Sequence, residues 1–187
     1  MLEKILAATC APALAGIKPS NIASVRKSIV PDVHSEIITL NRQLNSKDIY
    51  ILPLCECDKR VLVIVYRRKL LEAHLKREDS LAFLRSFGYN VTEDTDISEF
   101  LAHLQGRLDY EDFPHEIGIF LGYPIDDVRA FMTNKDEGCL LTGEWKVYRE
   151  PEKAQKLFCR YKSCRRAVSR RVDEGRSLAQ IFCADIA

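Results

Sequence analysis

Two stretches of the chain are apolar at nearly every position. Ile49–Leu54 reads IYILPL and Arg60–Tyr66 reads RVLVIVY, the pattern of strands buried on both faces. The short CECDK linker between them predicts an antiparallel hairpin. Pro53 has no N–H to give to a ladder, which predicts an edge or a bulge there. Glu36–Leu44, with its Ile-Ile-Thr run, reads as a further strand.

Elsewhere the apolar spacing is helical. Met1 to Ala8 begins an amphipathic helix, which Pro12, Gly16 and Pro19 break into a loop. Ser20 is positioned to cap a short helix over Ser20 to Ser28, ended by Pro31. Leu70, Leu71, His74 and Leu75 mark a helix, and so do Leu81, Leu84 and Phe87, with Gly88 as its stop. Asp96 or Ser98 caps a third, whose apolar face is Phe100, Leu101, Leu104 and Leu108. Pro114 opens a short helix carrying Ile117, Phe120 and Leu121, closed by Gly122. Pro124 opens another, with Asp126 and Asp127 in the first turn, where the helix dipole favours them, and Ile125, Val128, Phe131 and Met132 on its buried face. Asn134 to Gly138 is a turn. Cys139–Leu141 and Glu144–Tyr148 then read as a hairpin around Thr142 and Gly143. From Pro151, Leu157, Tyr161, Cys164, Val168 and Val172 step by 4, 3, 4 and 4, one apolar stripe of a long helix. Gly175 ends it, and Ser177 caps a last short helix.

Length and composition narrow the class. A chain of 187 residues, 47% apolar, suits a single domain over 1–187. It divides into a sheet-and-helix part (1–110), a helical corner with its hairpin (111–149) and basic C-terminal helices (150–187). The 28 basic and 27 acidic residues nearly cancel, so no global field draws the protein to nucleic acid or a membrane surface. No apolar run reaches membrane-spanning length. Glu3, Cys10 and Pro12 interrupt the one N-terminal stretch that resembles a signal peptide. Seven cysteines, an odd number in ordinary composition, point to reduced thiols and a cytoplasmic location. Charge is nonetheless uneven. Arg85 and Arg107 are the only basic residues between Glu78 and Asp127, whereas every charged residue from Lys153 to Arg171 is basic. That helix, through Lys162, Arg165, Arg166 and Arg170, is either a solvated face or a dock for an acidic protein partner or anionic ligand.

Three constellations offer chemistry. The first is the Ile117–Val128 corner, spaced like a helix-turn-helix. Its second helix presents Asp126 and Asp127 where a DNA reader needs basic or amide side chains, and Glu111, Asp112 and Glu116 flank it, so phosphate is repelled. The second is His115-Glu116, whose histidine has the chemistry of a general base or a metal ligand. Neighbouring helical positions diverge by about 100°, so a shared ligand needs help from Cys10, Cys139 or Asp112. The third is the cysteines. Cys164 lies on the apolar stripe, while Cys10 and Cys139 are candidate reactive thiols. Cys55 and Cys57 have no second pair at metal-ligand spacing, so no metal site is expected. Phosphate-binding glycine loops, G-x-S-x-G and H-E-x-x-H are all absent from the sequence.

Three blocks carry a family resemblance. They are Cys10-Ala11-Pro12 with Leu14-Ala15-Gly16-Ile17-Lys18-Pro19, then Phe113-Pro114-His115-Glu116-Ile117-Gly118 with Phe120-Leu121-Gly122-Tyr123-Pro124 and Asp127-Val128, then Gly143 with Trp145-Lys146-Val147-Tyr148. Over nearly the whole chain these resemble DUF3793, a bacterial domain family of unknown function. The resemblance implies no activity, cofactor or site, and only makes the FPHEIG and WKVY blocks natural places to look.

The expectation is therefore an α/β or α+β protein, with a small mixed or antiparallel sheet and helices packed on it. Strands Glu36–Leu44, Ile49–Leu54 and Arg60–Tyr66 build the sheet, which the Cys139–Tyr148 hairpin extends in one version. A groove lined by Cys10, His115, Glu116, Cys139, Trp145 and Lys146 would bind a small ligand or protein partner. The alternatives are an enzyme using His115 as acid/base or Cys10 as nucleophile, and a DNA-binding regulator.

Overall fold

The computed structural model describes residues 1–110 and 113–183. The helices are α1 (Leu2–Leu14), α2 (Val33–Leu44), α3 (Arg68–Leu75), α4 (Glu78–Arg85), α5 (Ile97–Tyr110), α6 (Ile117–Phe120), α7 (Ile125–Asn134), α8 (Pro151–Asp173) and α9 (Leu178–Phe182). The strands are β1 (Ser20–Arg26), β2 (Ile49–Glu56), β3 (Arg60–Arg67), β4 (Leu141–Thr142) and β5 (Lys146–Val147). The expected fold class stands: small antiparallel sheets with helices packed on them.

The central strand is β3, paired antiparallel with β1 on one side and β2 on the other. Successive side chains of a strand point to opposite faces, and both faces of β3 are apolar. Val61, Val63 and Val65 join α1, α2, α8 and α9 in one core. Leu62, Ile64 and Tyr66 face a second core built with α3 to α7. The β2–β3 hairpin is as expected, and its register shifts between Pro53 and Cys55, the irregularity that a proline in a ladder imposes.

Three expectations are corrected. Ser20–Arg26 is strand β1, not a helix. Its Ser20 hydroxyl donates to Phe120 O at 2.7 Å instead of capping, and the open edge of β3 takes its backbone groups. Glu36–Leu44 belongs to helix α2, not to the sheet. Asp32 caps it by accepting from Ser35 N at 3.0 Å, and Val33, Ile37, Leu40 and Leu44 form its buried stripe. The β-branched Ile37-Ile38-Thr39 run suggests a strand locally, but burial every three or four residues outweighs that preference. Finally, α1 continues through Pro12 to Leu14. The carbonyl that Pro12 cannot satisfy belongs to Ala8, an exposed residue, so water can take it. The β4–β5 hairpin forms a separate two-stranded sheet. Its Trp145 and Val147 pack with Ala154 and Tyr161 of α8 in a third apolar cluster. Among the described residues no helix is long and apolar enough to cross a membrane.

Candidate functional site

The α6–α7 corner is tight because two glycines let it be. A Cβ on Gly118 would meet Val128 at 2.8 Å, and one on Gly122 would meet Pro19 at 2.6 Å. Asp127, in the first turn of α7, is only 3% exposed. Its carboxylate accepts from Trp145 Nε1 at 2.8 Å, Tyr148 N at 2.9 Å and Arg149 N at 3.2 Å. This one side chain fastens the β4–β5 hairpin to the corner. Trp145 stacks on Tyr123, centroids 5.0 Å apart, and meets Phe158 edge-on at 4.7 Å. Gly143 makes the second contact possible, since a Cβ there would come within 2.2 Å of Phe158.

Between corner and hairpin lies a cavity of about 380 Å³. Phe113, His115, Val128, Phe131 and Trp145 are among its walls, with Asp127 and Lys146 as charged members. The His115 ring stands edge-on to Phe131 at 5.3 Å. Lys146 Nζ lies 5.4 Å from the Phe131 centroid and is ion-paired with Asp136.

A second hollow, about 290 Å³, adjoins the first. Ile22, Leu121 and Tyr123 line both. The second is polar, with Thr9, Lys18, Asn21, Glu144 and Arg165 around it. Arg165 is held by both carboxylate oxygens of Glu144. Lys18 is 3% exposed, and among the described residues its ammonium makes no hydrogen bond or ion pair. It has only two aromatic faces, Tyr123 at 5.0 Å and Tyr161 at 5.6 Å. Burial draws its pKa down from 10.5 to about 8, a shift that the Glu144 charge partly opposes.

Of the residues singled out from the sequence, His115, Trp145 and Lys146 meet at the apolar cavity. Three do not. Cys10 is fully buried on α1 in the first core. Its Sγ sits 3.4 Å from Thr9 Oγ1, and burial pushes the thiol up to about 12, the reverse of an activated nucleophile. Its neighbours Ala8 and Thr9, not Cys10 itself, reach the polar hollow. Glu116 is likewise fully buried and turned away, ion-paired with Arg107. Cys139 is half-buried, its thiol donating to Leu141 O at 3.4 Å, and it lines neither hollow. Glu111 and Asp112, expected beside His115, lie outside the described residues. Among the described residues no cluster of three or more His, Cys, Asp or Glu could hold a metal.

The basic helix divides. Lys162 and Arg166 are exposed, Arg170 lies 3.8 Å from Glu174, and Arg165 turns inward to Glu144. Lys18, Tyr123, Phe131 and Glu144 were not marked as site residues by the sequence, nor was the anchoring role of Asp127. A weak signal existed for Lys18, a lone charge between Ile17 and Pro19 in an otherwise uncharged stretch.

A family model described as "Protein of unknown function (DUF3793)" matches residues 6–182. The chain belongs to that family. No curated protein and no solved structure matches it. Within DUF3793, the two hollows of this member draw on all three of the blocks noted above: Lys18 from the first, His115 and Tyr123 from the second, Trp145 from the third.

Proposed function

We propose that this protein binds a small, largely apolar ligand, with an aromatic or similarly sized body, in the cavity between the helical corner and the β4–β5 hairpin. The observation that carries this reading is the cavity itself. About 380 Å³ falls in the range of small-molecule sites, which are apolar with a few fixed polar groups. Here the fixed groups are His115 and Lys146 at the cavity and the immobilised Asp127. A small ligand suits such a concave pocket better than a protein partner, which needs a far larger contact area.

The chemistry favours binding without turnover. Cys10 is buried and its thiol is held protonated, and it does not line the cavity. The DNA-binding alternative fares no better. Asp126 at the start of α7 is ion-paired with Arg149 at 2.9 Å, Asp127 is buried, and α6 is only four residues long.

Trp145 is the single tryptophan and a wall of the cavity, so its emission responds to what enters there. Neutral aromatic fragments should shift that emission saturably. Thr142→Phe, which places a ring at the cavity from an exposed position, should abolish the response. A flat response to every fragment overturns the reading.

A further inference from the structure

The strongest unexplained feature is Lys18. A long cationic side chain is among the last to be buried without a partner. Lys18 is 3% exposed and faces a hollow whose carboxylate wall, Glu144, is engaged by Arg165 rather than by the ammonium. Two tyrosine faces return part of the lost hydration, but an ammonium has three N–H groups to satisfy. The neighbouring charges settle the sign and size of what is missing. Glu144 and Arg165 are committed to each other and together carry no net charge. The hollow is therefore one positive charge in excess. A single negative charge balances it, and a second would meet Glu144 uncompensated.

We propose that the polar hollow takes the carboxylate of the ligand, with Lys18 as its ion-pair partner and Arg165 beside it, while the ligand's apolar body lies across Tyr123 in the Trp145 cavity. This rests on the binding reading above and extends it, because Ile22, Leu121 and Tyr123 are common walls of the two hollows. The ligand class is an amphipathic organic monoanion, with the acid group at one end and an aromatic or aliphatic body at the other. Asn21 is a further polar wall of the anion end, where its side-chain oxygen already accepts from Ala13 N at 3.1 Å, leaving its amide NH₂ as the group that can donate.

The test uses ω-phenyl carboxylates from phenylacetate to 5-phenylvalerate, their primary amides and phenyl phosphate, titrated against Trp145 emission on the full chain. In the wild type the best acid should bind about tenfold or more tighter than its amide, the size of one well-placed charge-assisted contact, and tighter than phenyl phosphate. Lys18→Met should bind acid and amide alike. Glu144→Gln, which frees Arg165, should shift the preference toward phenyl phosphate, and it keeps the inference testable should the Lys18 variant not fold. If acids and amides bind the wild type equally well, the carboxylate site is refuted while the apolar cavity survives. If Lys18→Met retains the preference for acids, Lys18 is not the partner and the inference fails. If no probe moves Trp145, the small-ligand reading itself falls.

Discussion

Replacing Lys18 by methionine tests whether the buried ammonium is a cost that the fold carries. The two side chains are similar in length, so Met fills the same space without the charge. The drop in pKa from 10.5 to about 8 corresponds to roughly 3 kcal/mol held against the charged form in the folded chain. Near neutral pH, Lys18→Met is therefore expected to be more stable than the wild type, by up to about 3 kcal/mol, which inverts the usual result for a buried substitution. The pH dependence carries the sharper signature. Between about 8 and 10.5 the unfolded chain still holds the Lys18 proton and the folded chain has released it. Stability of the wild type therefore rises with pH through this group, and the variant's advantage should disappear across that window. Urea unfolding of both proteins, followed by far-UV circular dichroism from neutral to alkaline pH under reducing conditions, measures the difference. Titrating groups away from Lys18 are common to both and cancel, and Cys10, the thiol coupled to it, stays protonated in the folded chain across that window. A variant less stable than the wild type near neutrality, or a difference that does not move with pH, refutes the reasoning.

Three other outcomes are expected. Asp127→Ala removes the acceptor for Trp145 Nε1 and two backbone N–H groups, and should cost about 3 kcal/mol by urea unfolding, with a shift in Trp145 emission; a loss below about 1 kcal/mol would show that water replaces the carboxylate. Gly143→Ala drives a Cβ into Phe158 and should cost about 1–3 kcal/mol; Phe158→Leu in the same chain should recover part of that, and strict additivity of the two changes in a double-mutant cycle would deny the contact. Iodoacetamide at mildly alkaline pH should label Cys57 first, because backbone hydrogen bonds from Lys59 and Arg60 lower its pKa and it is fully exposed. Cys10, buried and pushed up to about 12, should label only on unfolding, as mass spectrometry of the peptides will show.

How far the sequence could be read depended on where each element's determinants lie. The β2–β3 hairpin, the α8 stripe and the α6–α7 corner are specified by nearby residues, and each was legible. The Ser177 cap was as well, and its reciprocal partner Gln180 completes a capping box. Strand β1 was not, because its strand character comes from the edge of β3 about forty residues away (Ser20 opposite Tyr66), and only the fold supplies that edge. Helix α2 was hidden by Ile-Ile-Thr, although the Val33, Ile37, Leu40, Leu44 spacing was there to be counted. The site divides in the same manner. Trp145 and His115 stood out as unusual residues in unusual blocks. Lys18 did not, since its meaning lies in burial, and nothing in Gly16-Ile17-Lys18-Pro19 states that Tyr123 and Tyr161 will close over it.

The hydrogen bond from Ser20 to the Phe120 carbonyl joins positions 100 residues apart, directly beside the seat of Pro19 under Gly122. The walls of the Lys18 hollow therefore come from segments about as far apart in sequence, Lys18 and Asn21 on one side of the link and Leu121 and Tyr123 on the other. Any molecule that occupies the hollow reports that these distant segments have met, and by mass action its presence would favour the assembled form over those in which they are apart.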